Sequence, residues 1–161
     1  MKKSLIAVLA LASVVACNKA EVIEQNSANL ISFGNAFVNS STKAFVESAD
    51  DFDSFQVFGT VDGTGIFDNV TVTKNGSAWE YDSKYTQYWT NGQYNFAAIV
   101  NAASITSANG VPTSLITDLS TQKDVLYATA TRDNSTTINA AVVPFTFDHQ
   151  LARAQFTAVN K

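Results

Sequence analysis

The sequence predicts an all-β fold, an antiparallel sandwich, on three observations. Apolar and polar residues alternate with period two through stretches rich in β-branched and aromatic residues, turn dipeptides containing Gly or Asn separate those stretches, and no segment keeps a helical period. A strand with one wet and one dry face belongs in a sheet covered on one side, and short regular strands joined by local turns fit an antiparallel sandwich better than an α/β fold.

The expected strands follow in order. Ile31-Ser32-Phe33 opens the series, Phe55 to Val61 and Val70 to Thr73 continue it, and Ala78 to Tyr81, Tyr94 to Val100, Val125 to Thr131, Ile138 to Phe147 and Leu151 to Val159 complete it. Asn75-Gly76 falls between two of these stretches and predicts a type I′ hairpin, whose two central residues need positive φ. Asp62-Gly63-Thr64-Gly65, Asn91-Gly92, Asn109-Gly110 and Asp133-Asn134 mark further breaks. Ala102 to Gln122 is a long Ser/Thr-rich connection, expected to hold a short helix or a crossover between the sheets.

The N-terminus predicts export. Lys2 and Lys3 are followed by an almost unbroken apolar run from Ser4 to Val15, which at about a dozen residues is too short to span a bilayer, where about 20 are needed. Val14-Val15-Ala16-Cys17 resembles the bacterial lipobox, in which the cysteine is acylated and becomes the new N-terminus. Cys17 is the single cysteine of the chain, so acylation accounts for a thiol that has no intramolecular disulfide partner. Residues 1–16 are thus expected to be a lipoprotein signal peptide, 17–30 a flexible polar tether, and 31–161 one β-sandwich domain. Two or three acyl chains, at about 0.8 kcal/mol per buried methylene, suffice to hold such a domain on a membrane. Lys19-Ala20-Glu21 loosely resembles the signal that sends some lipoproteins of Bacteroidetes to the outer leaflet.

Loss of Lys2 and Lys3 takes the formal charge from −4 to −6. The remaining basic residues are scattered, which argues against a nucleic-acid partner. With no disulfide available the domain must rest on its apolar core, and eleven Phe, five Tyr and two Trp can supply it.

Catalysis requires groups that converge, and few are present. His149 is the one histidine, so a His/Cys metal site cannot be assembled and a nucleophilic triad would have to be built on His149 alone; a strand-end residue packing its ring and hydrogen-bonding to backbone is expected instead. Asp50-Asp51-Phe52-Asp53 lacks the spacing of a calcium loop and reads as a solvated turn. GxGxxG, GxxxxGK[ST] and GxSxG are all missing. No catalytic residue, metal or cofactor is expected. The aromatic group Trp79, Tyr81, Tyr85, Tyr88, Trp89, Tyr94 and Phe96 is the densest feature; it suits a sandwich core, and Tyr88 with Trp89 is the candidate ligand-binding pair if part of it faces outward as a platform for glycan or peptide.

Taken together, several segments resemble the fimbrillin-like lipoproteins of Bacteroidetes, the superfamily of type V pilus subunits. They are the lipobox at Cys17, the early strand at Ile31, Ser54-Phe55-Gln56-Val57, Val72 to Trp79, Tyr88-Trp89 with Asn91-Gly92 and Tyr94-Asn95-Phe96, Asp124 to Ala128, and Val143 to Phe156. The resemblance implies a transthyretin-like Greek-key sandwich displayed on the outer membrane as a fimbrial subunit or adhesin. It implies partners among other fimbrial subunits or host and bacterial surface ligands, and no enzymatic activity. It also implies assembly by strand addition, in which a protease removes the N-terminal strand and a neighbour's strand fills the groove. Lys43 stands where that family places its scissile arginine. Members commonly carry a second sandwich, so a chain ending at Lys161 is expected to correspond to the N-terminal domain alone. The alternative is an outer-membrane lipoprotein that binds glycan or peptide through its aromatic patch.

Overall fold

Pairs of residues that tolerate positive φ set where this chain reverses. Its structure, a computed structural model, describes residues 29–39, 48, 50–116 and 123–150. Among them run β1 (Phe33–Val38), β2 (Ser54–Val61), β3 (Thr64–Asn75), β4 (Ala78–Tyr81), β5 (Gln93–Val100), β6 (Ser104–Ala108), β7 (Val111–Ile116), β8 (Leu126–Asp133) and β9 (Val143–His149), with a 3-10 turn at Ser83–Tyr85. Asp62 and Gly63 (φ 49° and 78°) join β2 to β3, and Asn109 and Gly110 (φ 50° and 73°) join β6 to β7. Both are two-residue turns with positive φ at both centres, the type I′ pattern that matches strand twist.

The hairpin expected at Asn75-Gly76 forms one residue later and with different chemistry. Asn75 pairs with Ala78, so Gly76 and Ser77 are the central residues, and only Gly76 has positive φ (60°). Glycine at the first centre alone is the type II′ pattern, and it frees Asn75 to donate from Nδ2 to Glu80 Oε2 across the hairpin at 3.0 Å.

Seven strands form one sheet in the order β1-β9-β8-β5-β2-β3-β4, and β6 with β7 forms a second. Pairing is antiparallel except at one edge, where β1 runs parallel to β9 with Phe33 opposite Val143 and Val38 opposite Phe147. That pair departs from a purely antiparallel sandwich. The large sheet rolls until its two edges meet: the Tyr81 phenol donates to Ile31 O (2.6 Å) and the Ile31 amide donates to Gln87 O (2.9 Å). The all-β architecture is therefore sandwich-like and close to a barrel. Among the described residues the first pairing is at Asn29, whose carbonyl accepts the Trp89 amide (2.7 Å), two residues inside the span assigned to the tether.

Alternation delivers the core directly. Val143, Phe145 and Phe147 of β9 face inward while Pro144, Thr146 and Asp148 face water, and Phe55, Val57, Phe67, Val70, Val72, Tyr94 and Phe96 close the same interior. Each such side chain contributes about 1.5–3 kcal/mol on burial. Phe58, Ala97, Ile99 and Val125 lie on the opposite face of the sheet and form a second, smaller cluster with Ile105 of β6 and Tyr127. Those residues explain why β5 reads as a continuous apolar run from Phe96 to Val100: both of its faces are covered.

The connection from Ala102 onward contains the β6–β7 hairpin, where a short helix or crossover was expected; Asn109-Gly110 is its turn. The strand expected from Ile138 begins only at Val143. The Arg132 guanidinium takes up the preceding loop instead, donating to Asn139 O (3.0 Å), Ala141 O (2.6 Å) and Val142 O (3.3 Å). The expected strand Leu151 to Val159 lies outside the described residues, as do residues 1–28, Cys17 and Lys43.

Candidate functional site

The edge strand β1 is the first candidate. From Phe33 to Val38 it is hydrogen-bonded along one side only, to β9, and its inward residues Phe33 and Ala36 are buried, as is Ile31 just before it. The Phe33 ring lies 5.3 Å from Phe67, 5.7 Å from Tyr81, 5.9 Å from Phe96 and 5.8 Å from Phe145, the last stacked at 20°. A register shift between Gly34 and Phe37 interrupts the alternation and leaves Phe37 62% exposed. Burial pushes the Tyr81 phenol above its ordinary value and keeps it a donor to the Ile31 carbonyl. Without β1, the outer backbone edge of β9 and a slot lined by Phe67, Phe96 and Phe145 would stand open, which is the arrangement that accepts an added strand.

Tyr88 and Trp89 are separated by the fold. Trp89 is 2% exposed, with its ring 4.7 Å from Tyr94 and 5.9 Å from Phe96, and the Arg132 guanidinium carbon sits 4.8 Å from its centroid. Tyr88 is half-buried and bridges to Leu30. The inner half of the aromatic group thus belongs to the core, together with Trp79, which packs on Phe52 and Phe55. Tyr85 is the large aromatic of the group that stays open to solvent, at 40%.

His149 ends β9 as expected, but its partner is a carboxylate. Nδ1 lies 2.6 Å from Asp124 Oδ2, with both side chains over nine-tenths buried, and the Asn101 amide donates to Asp124 O (3.0 Å). Among the described residues no hydroxyl or thiol is hydrogen-bonded to the pair. It clips the start of β8 to the end of β9, reinforced by the Gln150 amide donating to Val125 O (2.8 Å). Asp124→Ala leaves the imidazole with no partner at either nitrogen, because Nε2 already has none. Urea unfolding should register a loss of about 1–3 kcal/mol.

The acidic run folds onto β3. Lys74 Nζ pairs with Asp50 Oδ1 (2.5 Å), the Ser48 amide donates to Asp51 (2.9 Å), and the Lys74 amide donates to Asp53 O (2.8 Å). Among the described residues no three His, Cys, Asp or Glu side chains gather where a metal could sit. Sequence reasoning missed a polar groove on the outer face of β3 and β4, lined by Asn69, Thr71, Thr73, Glu80, Asp82 and Tyr85 among others. Its floor depends on a β-bulge, which composition does not announce.

The fimbrillin-like family model matches residues 42–161, from just after β1 through β9 and beyond. The chain belongs to the fimbrillin-like family. No curated protein and no solved structure matches it. Membership supports the role of a fimbrial subunit, structural rather than enzymatic, among other fimbrial subunits at a fimbrium or surface. Among the described residues of this fimbrillin-like chain, no helix is long and apolar enough to cross a membrane.

Proposed function

We propose that this fimbrillin-like chain is a surface-displayed lipoprotein that serves as a fimbrial subunit or adhesin and is assembled by strand addition. Residues 1–16 direct export, acylated Cys17 anchors the chain in the outer membrane, and residues 17–30 carry the domain clear of the headgroups. Cleavage at Lys43 releases β1, and a neighbouring subunit's strand takes its place. The observation that supports this most is the seat of β1: a parallel edge strand, bonded on one side, whose buried side chains fill one slot of the aromatic core. A strand in that position supplies main-chain hydrogen bonds for affinity and alternate side chains for specificity.

Two measurements test it. Mass spectrometry of the chain from its native host should find Cys17 at the N-terminus with acyl chains, and Cys17→Ser should release the chain from membranes. Cutting the full chain at Lys43 with a lysine-specific protease should yield oligomers that a synthetic peptide of residues 29–39 reduces to monomers, while Lys43→Ala chain treated the same way stays monomeric. A cut chain that keeps its own β1 and never associates would refute strand addition.

A further inference from the structure

The outer face of β3 and β4 carries a groove of about 450 Å³, within the roughly 300–1,000 Å³ of small-molecule sites. Its shape begins with an irregularity in β3. Val57 pairs with Val70 and Gly59 with Phe67, so Asp68 and Asn69 together oppose Phe58. Asn69 absorbs the extra residue at φ 55°, a conformation that asparagine tolerates better than most side chains. Asp68 and Asn69 are therefore both exposed, and Asn69 lines the groove.

Thr71 and Thr73 continue the floor on the exposed face of β3, Thr73 pairing directly with Glu80 of β4. Asp82, Lys84 and Tyr85 follow beyond β4 and line it as well. The Lys84 amide donates to Asp82 Oδ1 (3.0 Å) and its ammonium lies 3.3 Å from Oδ2, which together hold the Asp82 carboxyl below the usual carboxylate range. The same ammonium sits 4.8 Å from the Tyr85 ring centroid, and 40% of that residue stays exposed.

The donor and acceptor inventory decides the ligand. Glu80 and Asp82 only accept, Lys84 only donates, and two threonine hydroxyls and the Asn69 amide do both. A ligand that satisfies such a mixture must present many groups that each donate and accept, and alcohol hydroxyls do so. Two carboxylates against one ammonium leave the groove net negative, which disfavours phosphate, sulfate and carboxylate ligands. One open aromatic ring offers a flat surface for an apolar ring face. We propose that this groove, floored by Thr71 and Thr73 and lined by Tyr85, binds a neutral oligosaccharide, with a sugar ring stacked on Tyr85 and its hydroxyls on Thr71, Glu80 and Asp82. The site lies on the face of the sheet rather than at the β1 edge, and because Tyr81, which also lines it, donates to Ile31 O, binding is measured on the uncut chain.

The test screens the full chain on an array of neutral and sialylated glycans, then titrates the strongest neutral oligosaccharide calorimetrically. Tyr85→Ala should weaken it about tenfold, and Tyr85→Phe, which keeps the ring, should bind within a few-fold of the natural chain. Asn69→Gly keeps the positive φ and should weaken binding with no change in circular dichroism. Failure to bind any neutral glycan at millimolar concentration, preference for the sialylated set, or unchanged binding by Tyr85→Ala would each overturn the proposal. Oligomer formation after cleavage at Lys43 is read separately and stands or falls on its own.

Discussion

Gly110→Ala is expected to cost the fold about 3–5 kcal/mol, while Gly63→Ala costs only the left-handed strain of about 1–2 kcal/mol. Both glycines occupy the second centre of a type I′ turn, with φ of 73° and 78°. Their surroundings differ. A Cβ at Gly63 meets nothing within 4 Å, whereas at Gly110 it overlaps Gly59 O of β2 and meets Phe67 O of β3 at 2.9 Å. Those carbonyls belong to paired strands and cannot retreat without breaking the ladder. The β6–β7 turn must lift instead, and the cluster of Phe58, Ala97, Ile99 and Val125 on that face loses its cover. Urea unfolding of the two variants measures the difference, and dye binding to exposed apolar surface should rise for Gly110→Ala alone. Equal costs would mean that the hairpin does not press on the sheet.

The parts of this fold that alternation writes into the chain were legible, and the parts written by long-range contact were not. Val143-Pro144-Phe145-Thr146-Phe147 announces a half-buried strand by itself, and the structure buries the odd-numbered residues. Asp62-Gly63 and Asn109-Gly110 announce reversals for the same local reason. Residues 104–116 set four large apolar residues among Ser, Thr and turn formers without a sustained alternation, and their hairpin covers Phe58 and Ile99, which lie distant in sequence. Ile138 to Val142 alternates enough to suggest a strand, yet Arg132 claims three carbonyls at its end and leaves a loop. Of the candidate site, the aromatic richness was visible but its division was not. Which rings turn inward depends on how far the sheet rolls, and the roll is fixed by Tyr81 reaching Ile31 across 50 residues. The groove on β3 depends on a bulge set by partner strands, so Asn69 carries no signal of its own.

Phe33→Ala is expected to remove about 3–5 kcal/mol and to loosen β1 more than any other strand. Phe33 is 3% exposed and touches four rings that belong to β3, β4, β5 and β9, so truncation leaves a cavity at the point where the rolled sheet closes. Phe37, four residues on in the same strand, is 62% exposed, and Phe37→Ser should change stability by less than about 0.5 kcal/mol. The contrast separates burial from mere presence in β1. Amide hydrogen exchange should show opening concentrated between Phe33 and Val38 in the Phe33 variant, because the hydrogen bonds to β9 on one side alone resist it. If β1 is the exchangeable strand of a fimbrial subunit, Phe33→Ala should also take up a synthetic peptide of residues 29–39 from solution faster than the natural chain does. Equal stability of the Phe33 and Phe37 variants would mean that β1 contributes no anchor to the core, and strand exchange at this edge would then lack its energetic basis.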